Sequence, residues 1–369
     1  MQPQGRGPRR VTPATVHPRE IIQAAGLLEA GELVGLPTET VYGLAADAAN
    51  PQAVAKIYAA KGRPANHPVI VHLHRDADPT RWAAELPDLA CKLIAAFWPG
   101  PLTLVLPRRA GAAEACAGGQ DTIALRCPDH PVAQAVLALF RGGQGGLAAP
   151  SANRFGRISP TTAAHVRSEL GAAVSLVLDG GACAVGIEST IVDCSRLHTL
   201  DGLPRILRPG GVEVSAISAV LGCTEQSLLG LPHRLQGERL QPWCAGLEPG
   251  LARRAADAVP EAPRVPGALA SHYAPVTPLH IVQADALDTA WLLAQRIGVL
   301  APRAAPGANR QSRWLAMPAE AQAYAQALYA ALRELDAAGL EAIWAQALPA
   351  DARWDAVRDR LHRAAADKR

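Results

Sequence analysis

The chain of 369 residues is long enough for two domains, and its formal net charge of +3 is close to neutral for that size. Hydrophobic residues make up 49% of it and charged residues 19%, which is typical of a globular protein. No strong basic stripe is present and no apolar run is long enough to span a bilayer, so the composition argues against a nucleic-acid-coating protein and a membrane protein.

The cysteines and the N-terminal residues predict a cytoplasmic protein. Seven scattered cysteines without a Cys-x-x-Cys pair indicate reduced thiols and not a disulfide framework or a zinc site. His72 and His74 alternate on a predicted strand, but no third ligand lies at zinc spacing, so we predict no metal site. Residues 1–17 are polar and Pro-rich without an apolar signal core, which predicts a flexible leader.

The first predicted strand ends at a cluster of hydroxyl side chains. Residues 20–30 have the apolar spacing of an amphipathic helix, and the apolar run 33–36 predicts a strand. Thr38 and Thr40 follow directly after it. Because α/β sheets keep their sites at strand ends, these hydroxyls are candidate ligand contacts.

Two cations lie close to these hydroxyls in the sequence. A capping asparagine and a stop glycine delimit a helix over residues 51–61, so Lys61 and Arg63 share the loop before a strand at 69–71 that ends at His72. Cations and hydroxyls at adjacent strand ends suit a ligand with phosphate and carboxylate groups. Lys61 and Arg63 alone fit a solvated helix end, where they offset the helix dipole, equally well.

The next elements predict a mixed sheet. Further helices are predicted over residues 86–97, 131–140, 160–171 (capped by Ser159) and 212–221, and further strands over 102–106, 122–127, 146–150, 175–178, 190–194 and 206–208. Some neighbouring strands have no helix between them. We therefore expect an α/β fold with a twisted mixed sheet and flanking helices.

Polar residues again follow or face these later strands. Thr122 and Arg126 share one face of a strand, and a buried arginine there needs an anion, either a core carboxylate or a ligand. Small residues before Ser151 and Asn153 let a backbone approach a ligand closely, although the same residues favour a turn.

A last cluster lies around two further strands. Glu188 and Ser189 begin one strand and Arg208 ends another. The chain contains no Walker A motif, so any nucleotide is bound without a P-loop. It also lacks a Gly-x-Ser-x-Gly elbow and a cysteine beside a base, so we predict no covalent catalysis.

Beyond residue 222 the pattern changes twice. The predicted organisation is a leader at 1–17, a catalytic domain at 18–222, a Gly- and Pro-rich linker at 223–278 and a C-terminal domain at 279–369. In the last domain, strands at 279–282 and 298–300 alternate with helices at 286–296, 319–338 and 353–365. That alternation predicts a small Rossmann-like domain, although the Gly-x-Gly-x-x-Gly fingerprint is missing.

In their chain order, these segments resemble the two-domain form of the threonylcarbamoyl-AMP synthase family, which joins a YrdC-like catalytic domain to a smaller C-terminal domain. The motifs that carry the resemblance are PTETVYGLAADA, KGRP with VIVH, WPGPLTLVL, DTIALRCP, APSANRFGRISPT, GIESTIVD, LRPGG and PGALASHYAP. They lie within residues 36–275, and the C-terminal domain is similar in position and α/β pattern alone.

The resemblance implies a nucleotidyltransferase, an L-threonylcarbamoyladenylate synthase. Such an enzyme combines L-threonine, bicarbonate or CO₂, and ATP into threonylcarbamoyl-AMP and pyrophosphate, with Mg²⁺ accompanying ATP and no tightly bound organic cofactor. The product passes to a tRNA threonylcarbamoyl transferase complex that forms threonylcarbamoyladenosine in tRNA. A weak or indirect contact with tRNA agrees with the near-neutral net charge.

Matched residue by residue, the resemblance also implies a site. Its threonine pocket comprises Thr38, His72, Arg126, Ala149 and Ser189. Its ATP site comprises Arg63, His67, Thr122, Ser151, Asn153, Ser159, Arg208 and Tyr273, the last in a linker that folds over the nucleotide. Lys61 and Arg63 are the predicted catalytic residues, because cations there stabilise charge on the phosphates. His67 departs from the family, which commonly has asparagine in this place.

Two alternatives have different functions. One is a module that binds double-stranded RNA or tRNA without turnover, and the missing basic stripe argues against it. The other is a larger carbamoyltransferase that embeds a YrdC-like domain, and the absence of paired Cys-x-x-Cys motifs argues against that.

Overall fold

The structure is a computed structural model that describes residues 16–199, 202–229, 262–269, 271–293 and 296–366. Nearly all of the predicted leader and the central part of the predicted linker lie outside the described residues. Within them the chain forms a nine-stranded sheet and a separate four-stranded sheet. None of the described helices has the length and apolar character that crossing a bilayer requires.

The nine-stranded sheet forms the larger unit. Its strands are β1 (Val34–Leu36), β2 (Gly43–Asp47), β3 (Val71–Leu73), β4 (Leu102–Pro107), β5 (Thr122–Arg126), β6 (Gly146–Ala148), β7 (Leu176–Val177), β8 (Thr190–Asp193) and β9 (Arg205–Arg208). Their order is β7-β1-β2-β6-β3-β5-β4-β8-β9, with β3–β5 and β4–β8 parallel and β1–β2 and β4–β5 antiparallel. The predicted mixed sheet is confirmed.

Among the described residues, eight helices belong to this unit. They are α1 (Pro18–Glu29), α2 (Pro51–Lys61), α3 (Asp88–Phe97), α4 (Glu114–Ala117), α5 (Pro131–Leu139), α6 (Ala163–Leu170), α7 (Val214–Leu221) and α8 (Glu225–Leu229). Helix α2 follows the predicted punctuation closely. The Asn50 side chain accepts from the backbone N–H groups of Gln52 and Ala53, and Gly62 ends the helix in the left-handed conformation.

Several details of this unit differ from the predictions. Helices α4 and α8 were not predicted, and His72 lies within β3 and not at its end. Strand β2 was missed because all five of its residues are buried, so its sequence shows no polar alternation. The predicted cap at Ser159 was wrong: helix α6 begins at Ala163, and the Thr162 side chain accepts from the His165 N–H. The Ser159 hydroxyl instead donates to Glu188 Oε1 at 2.7 Å.

The second sheet confirms a small α/β C-terminal unit. Its strands are β10 (Leu279–Val282), β11 (Ile297–Ala301), β12 (Arg313–Ala316) and β13 (Ala342–Gln346), in the order β10-β13-β11-β12 and all parallel. Its helices are α9 (Ala284–Leu293), α10 (Ala321–Asp336) and α11 (Asp355–Ala365). Strands β12 and β13 were missed because both are short and partly exposed, with tryptophans that resembled isolated packing residues.

The two units share an apolar cluster. Val41 and Ile187 of the larger unit and Tyr273 of the connecting segment pack in one buried group with Leu328 and Tyr329 of α10. Because these side chains exclude water together, the C-terminal unit is packed directly behind the strand ends of the large sheet.

The register of the large sheet brings predicted site residues into a row. His72 of β3 lies opposite Arg126 of β5, and Ile191 of β8 lies opposite Arg208 of β9. Ser189 directly precedes β8, and its hydroxyl lies 2.7 Å from the hydroxyl of Thr103 on β4. The sheet itself therefore fixes the spacing of these side chains.

Candidate active site

A cavity of about 50 Å³ lies where these strand ends meet the connecting segment. Eight predicted site residues line it, namely Arg63, His72, Arg126, Ala149, Ser151, Ser189, Arg208 and Tyr273. Thr40, Glu188 and His272 line it as well. Pockets that enclose a nucleotide-sized ligand usually measure about 300–1,000 Å³, so this cavity is smaller than a nucleotide needs.

Arg63 supplies a buried positive charge to this cavity. The helix stop at Gly62 directs the chain so that Arg63 Nη2 donates to the Pro68 carbonyl at 2.5 Å, and the guanidinium lies 5.7 Å from the Phe155 ring centroid. Its Nε has no partner among the described residues. Burial lowers the pKa of Arg63 to about 10, so the group stays charged at neutral pH.

Arg126 forms a buried ion pair. Its Nη2 lies 2.5 Å from Glu39 Oε1, and its Nε donates to the Gly100 carbonyl at 3.3 Å. Of the two anions that the sequence allowed for Arg126, a core carboxylate or a ligand, the core carboxylate is therefore present as Glu39. Glu39 Oε2 has no partner among the described residues, so the pair retains hydrogen-bonding capacity.

Arg208 joins the sheet to the connecting segment. Its Nε and Nη2 donate to the Ser189 carbonyl at 3.2 and 2.7 Å, and Nη2 also donates to Ser189 Oγ at 3.2 Å. Its Nη1 donates to the Pro266 carbonyl at 2.9 Å. Arg208 thus connects the Ser189 strand end with the segment that closes the cavity.

Gly210 allows this arrangement because it approaches the neighbouring backbone closely. A Cβ atom there would lie 2.4 Å from the Glu188 carbonyl oxygen and 2.5 Å from the Thr190 nitrogen.

We expect Gly210→Ala to lower the free energy of unfolding by about 1–3 kcal/mol, because backbone atoms must move. Urea unfolding measures this. Gly26→Ala is the control, since nothing lies within 4 Å of its added Cβ and alanine stabilises a helix interior. Equal stability of both variants would contradict the packing described.

Two buried histidines face the cavity as neutral groups. Burial and the charge of Arg126 lower the pKa of His72 to about 3. Burial, together with Arg63 and Lys61 and against the opposing effect of Glu188, lowers the pKa of His272 to about 3. Both imidazoles are therefore uncharged at neutral pH and can donate or accept one hydrogen bond to a ligand.

Because both pKa values are depressed, His72 and His272 should not titrate in the folded protein between pH 8 and pH 5. We expect their imidazole NMR resonances to stay constant over this range, whereas free histidine in the same buffer shifts near pH 6.5. The unfolded chain takes up these protons, so the free energy of unfolding should decrease as the pH falls below about 6.5. A His72 resonance that titrates near pH 6 would contradict the buried, Arg126-adjacent position.

Six predicted site residues do not line this cavity: Thr38, Lys61, His67, Thr122, Asn153 and Ser159. The Thr38 hydroxyl donates to the Val41 carbonyl at 2.6 Å within the turn after β1. The His67 ring packs edge-on against Phe155, and Thr122 is partly exposed at the start of β5. Their predicted ligand contacts stay predictions.

Lys61 lies beneath the loop that carries Ser151. Its Nζ donates to the Asn153 carbonyl at 2.6 Å and also to the Ser151 carbonyl. Asn153 Nδ2 in turn donates to the Arg154 and Arg157 carbonyls at 2.8 and 2.9 Å. Burial, and next the charge of Arg63, lower the pKa of Lys61 well below its usual value. In this structure Lys61 and Asn153 hold the loop in place.

Three residues that complete the site were not predicted from the sequence. Glu188 and His272 line the cavity, and both were visible in motifs, but without a role. Arg360 of α11 pairs with Glu188 Oε2 at 2.7 Å. Nothing in its local sequence distinguishes Arg360 from the other arginines of α11, since only the packing of the two units buries it.

Fold and site define a class: two-domain α/β proteins whose large mixed sheet carries a cationic cavity, closed by the segment that leads to a second sheet. The family profile described as "Telomere recombination" matches residues 26–210, and that of the threonylcarbamoyl-AMP synthase C-terminal domain matches residues 214–366. The chain belongs to the threonylcarbamoyl-AMP synthase family.

Individual relatives agree. The threonylcarbamoyl-AMP synthase of Bacillus subtilis is 36% identical, covering 94% of this chain and 93% of the relative. That of Schizosaccharomyces pombe is 32% identical and covers 90% and 84%. The crystal structure of Pyrococcus abyssi Sua5 complexed with L-threonine matches 95% of this chain and 96% of its own, with a TM-score of 0.75 and 31% identity.

Proposed function

We propose that this chain is an L-threonylcarbamoyladenylate synthase, which makes threonylcarbamoyl-AMP and pyrophosphate from L-threonine, bicarbonate or CO₂, and ATP. The observation that carries the proposal is the likeness, over nearly the full length of both chains, to a Sua5 structure complexed with L-threonine. The cavity supports it independently, because arginines suited to phosphate and carboxylate groups line it together with neutral hydrogen-bonding side chains.

The threonine side of the proposed site lies around β3, β5 and the start of β8. We assign the substrate carboxylate to Arg126, which lines the cavity together with neutral His72 and the Ser189 hydroxyl. His72 is a weak base because its pKa is about 3, so we assign it a hydrogen bond to threonine and not proton abstraction. The neutral substrate amine then forms a bond to the carbon of CO₂ and loses a proton to solvent, or attacks bicarbonate with loss of water, and either route gives a carbamate.

The nucleotide side lies around Arg63 and Arg208. A carbamate oxygen attacks the α-phosphorus of ATP, the bond to the β-phosphate oxygen breaks, and pyrophosphate leaves. Both reactants are anions, so the chain contributes mainly positioning and positive charge. Mg²⁺ enters as part of the ATP substrate and neutralises the leaving pyrophosphate.

The product would pass to a tRNA threonylcarbamoyl transferase complex, and we propose a cytoplasmic location for this step. Pyrophosphate release tests the proposal, measured with ATP, Mg²⁺ and bicarbonate in the presence of threonine, of serine or of no amino acid. We expect release that requires bicarbonate and is fastest with threonine. Salt-sensitive tRNA retention with no release would favour the RNA-binding alternative instead.

A further inference from the structure

The C-terminal unit contributes a fully buried arginine to the rear of the active site. Arg360 has no exposed surface, and its Nε donates to Glu188 Oε2 at 2.7 Å. Its Nη1 donates to Asp359 Oδ2 at 2.5 Å, and its Nη2 donates to the Pro209 carbonyl at 3.0 Å. A buried guanidinium needs such a complete set of partners, and two of the three bonds reach the catalytic unit.

Glu188 is the residue through which Arg360 reaches the site. Glu188 lines the cavity, and its carboxylate accepts from the Ser159 hydroxyl at 2.7 Å and from the Tyr329 hydroxyl at 2.9 Å. Burial by itself would raise the pKa of Glu188, but Arg360 and then Arg208 outweigh it and lower the pKa to about 2. Two of its three side-chain partners, Tyr329 and Arg360, thus come from the C-terminal unit.

Helix α11, which carries Arg360, also contacts the connecting segment that covers the cavity. The Arg360 guanidinium lies 5.2 Å from the centroid of the Tyr273 ring, which lines the cavity. One turn later, Arg363 donates to the Leu269 carbonyl at 2.6 Å and its own carbonyl accepts from the His272 N–H at 3.1 Å. Helix α11 therefore contacts both a wall of the cavity and its cover.

We propose that Arg360 is a positioning residue for the nucleotide: it fixes the Glu188 carboxylate, which holds the Ser159 hydroxyl, and it supports Tyr273 over the cavity. This inference rests on the proposed function and gives the C-terminal unit a role in it. A carboxylate only accepts, so the proton of Ser159 is committed to Glu188. The lone pairs of Ser159 then suit an N–H or O–H of the nucleoside and not a phosphate oxygen.

Arg360→Met tests the proposal, with Arg358→Met as the matched control on the same helix. Among the described residues, the Arg358 side chain bonds to Asp355 and to the Pro349 carbonyl, both within the C-terminal unit. We expect Arg360→Met to raise KM and Kd for ATP by about 10–100-fold, as for residues that orient a binding group through another. KM for threonine should change less than about threefold, and Arg360→Lys should restore part of the ATP affinity.

Comparing KM with kcat distinguishes a positioning role from a folding defect, because a smaller folded fraction lowers kcat and leaves KM unchanged. A folded Arg360→Met enzyme with wild-type KM and Kd for ATP would overturn the inference.

If Arg360→Met does not fold, Tyr329→Phe tests the inference instead, since it removes one hydroxyl donor to Glu188. We expect a rise of about 3–10-fold in its Kd for ATP, and an unchanged Kd overturns the inference. Wild-type protein that binds ATP without threonine-dependent turnover would instead overturn the proposed function, while the Kd comparison still tests Arg360.

Discussion

Arg63→Ala should lower threonine- and bicarbonate-dependent pyrophosphate release by at least about 100-fold, the loss seen when one preorganised donor of a transition-state charge is removed. Arg63 is buried at the cavity, stays charged at neutral pH and has an Nε without a partner among the described residues. Its charge is therefore available to the nucleotide. Pyrophosphate release at saturating substrates measures the effect.

The control for this variant is Arg109→Ala. Arg109 is exposed and donates to the Thr80 carbonyl, and it does not line the active-site cavity. Its loss should leave turnover unchanged. Arg63→Lys should recover only part of the activity, since an ammonium cannot reproduce the planar fork of donors. Turnover of Arg63→Ala within about tenfold of wild type, a difference of only about 1.4 kcal/mol, would contradict the assignment of Arg63 to the phosphates.

Arg126→Met should have two separable effects, because Arg126 is predicted to bind threonine and also pairs with Glu39. The variant leaves the Glu39 carboxylate buried and uncompensated, which costs about 3–5 kcal/mol in the free energy of unfolding. It also removes the partner of the substrate carboxylate, so threonine binding should become undetectable by calorimetry. Urea unfolding and titration calorimetry measure the two effects.

The double variant Arg126→Met/Glu39→Leu distinguishes them. Removing both charges should restore most of the lost stability, since an apolar pair replaces a buried ion pair at little cost. Threonine binding should stay lost. If the double variant bound threonine like wild type, Arg126 would be a structural residue, as the core-carboxylate interpretation of the sequence allowed. The exposed pair of Arg353 and Asp351 offers a control, because Arg353→Met should not shift the urea midpoint.

The sequence predicted an element of the fold correctly where neighbouring residues determine that element, and failed where distant contacts do. The cap at Asn50 and the stop at Gly62 fixed helix α2, and with it the position of Arg63, from adjacent residues alone. Strand β2 carries no such local pattern, because burial on both faces removes the alternation that identifies a strand. Ser159 looked like a cap, but a buried carboxylate distant in sequence accepts its hydrogen bond.

The candidate site shows the same division. Motifs matched to the family named eight residues that line the cavity, and the sheet register explains why residues distant in sequence converge. The partners of those residues could not be predicted. Glu39 lies beside Arg126 only because β1, β2 and β5 pack in one sheet, and Arg360 reaches Glu188 only because two units share a core. The bonds from the Lys61 ammonium to the Ser151 and Asn153 carbonyls were likewise not predictable from the sequence, and its contact with phosphate stays a prediction.

The most direct test of the central claim follows the carbon of bicarbonate. The full chain is incubated with ¹³C-bicarbonate, L-threonine and MgATP, and the adenylate product is identified by mass spectrometry. We predict an adenylate that contains threonine and one ¹³C atom, formed in equal amount to pyrophosphate and absent when threonine is omitted. Consumption of ATP without ¹³C in an adenylate would contradict the account.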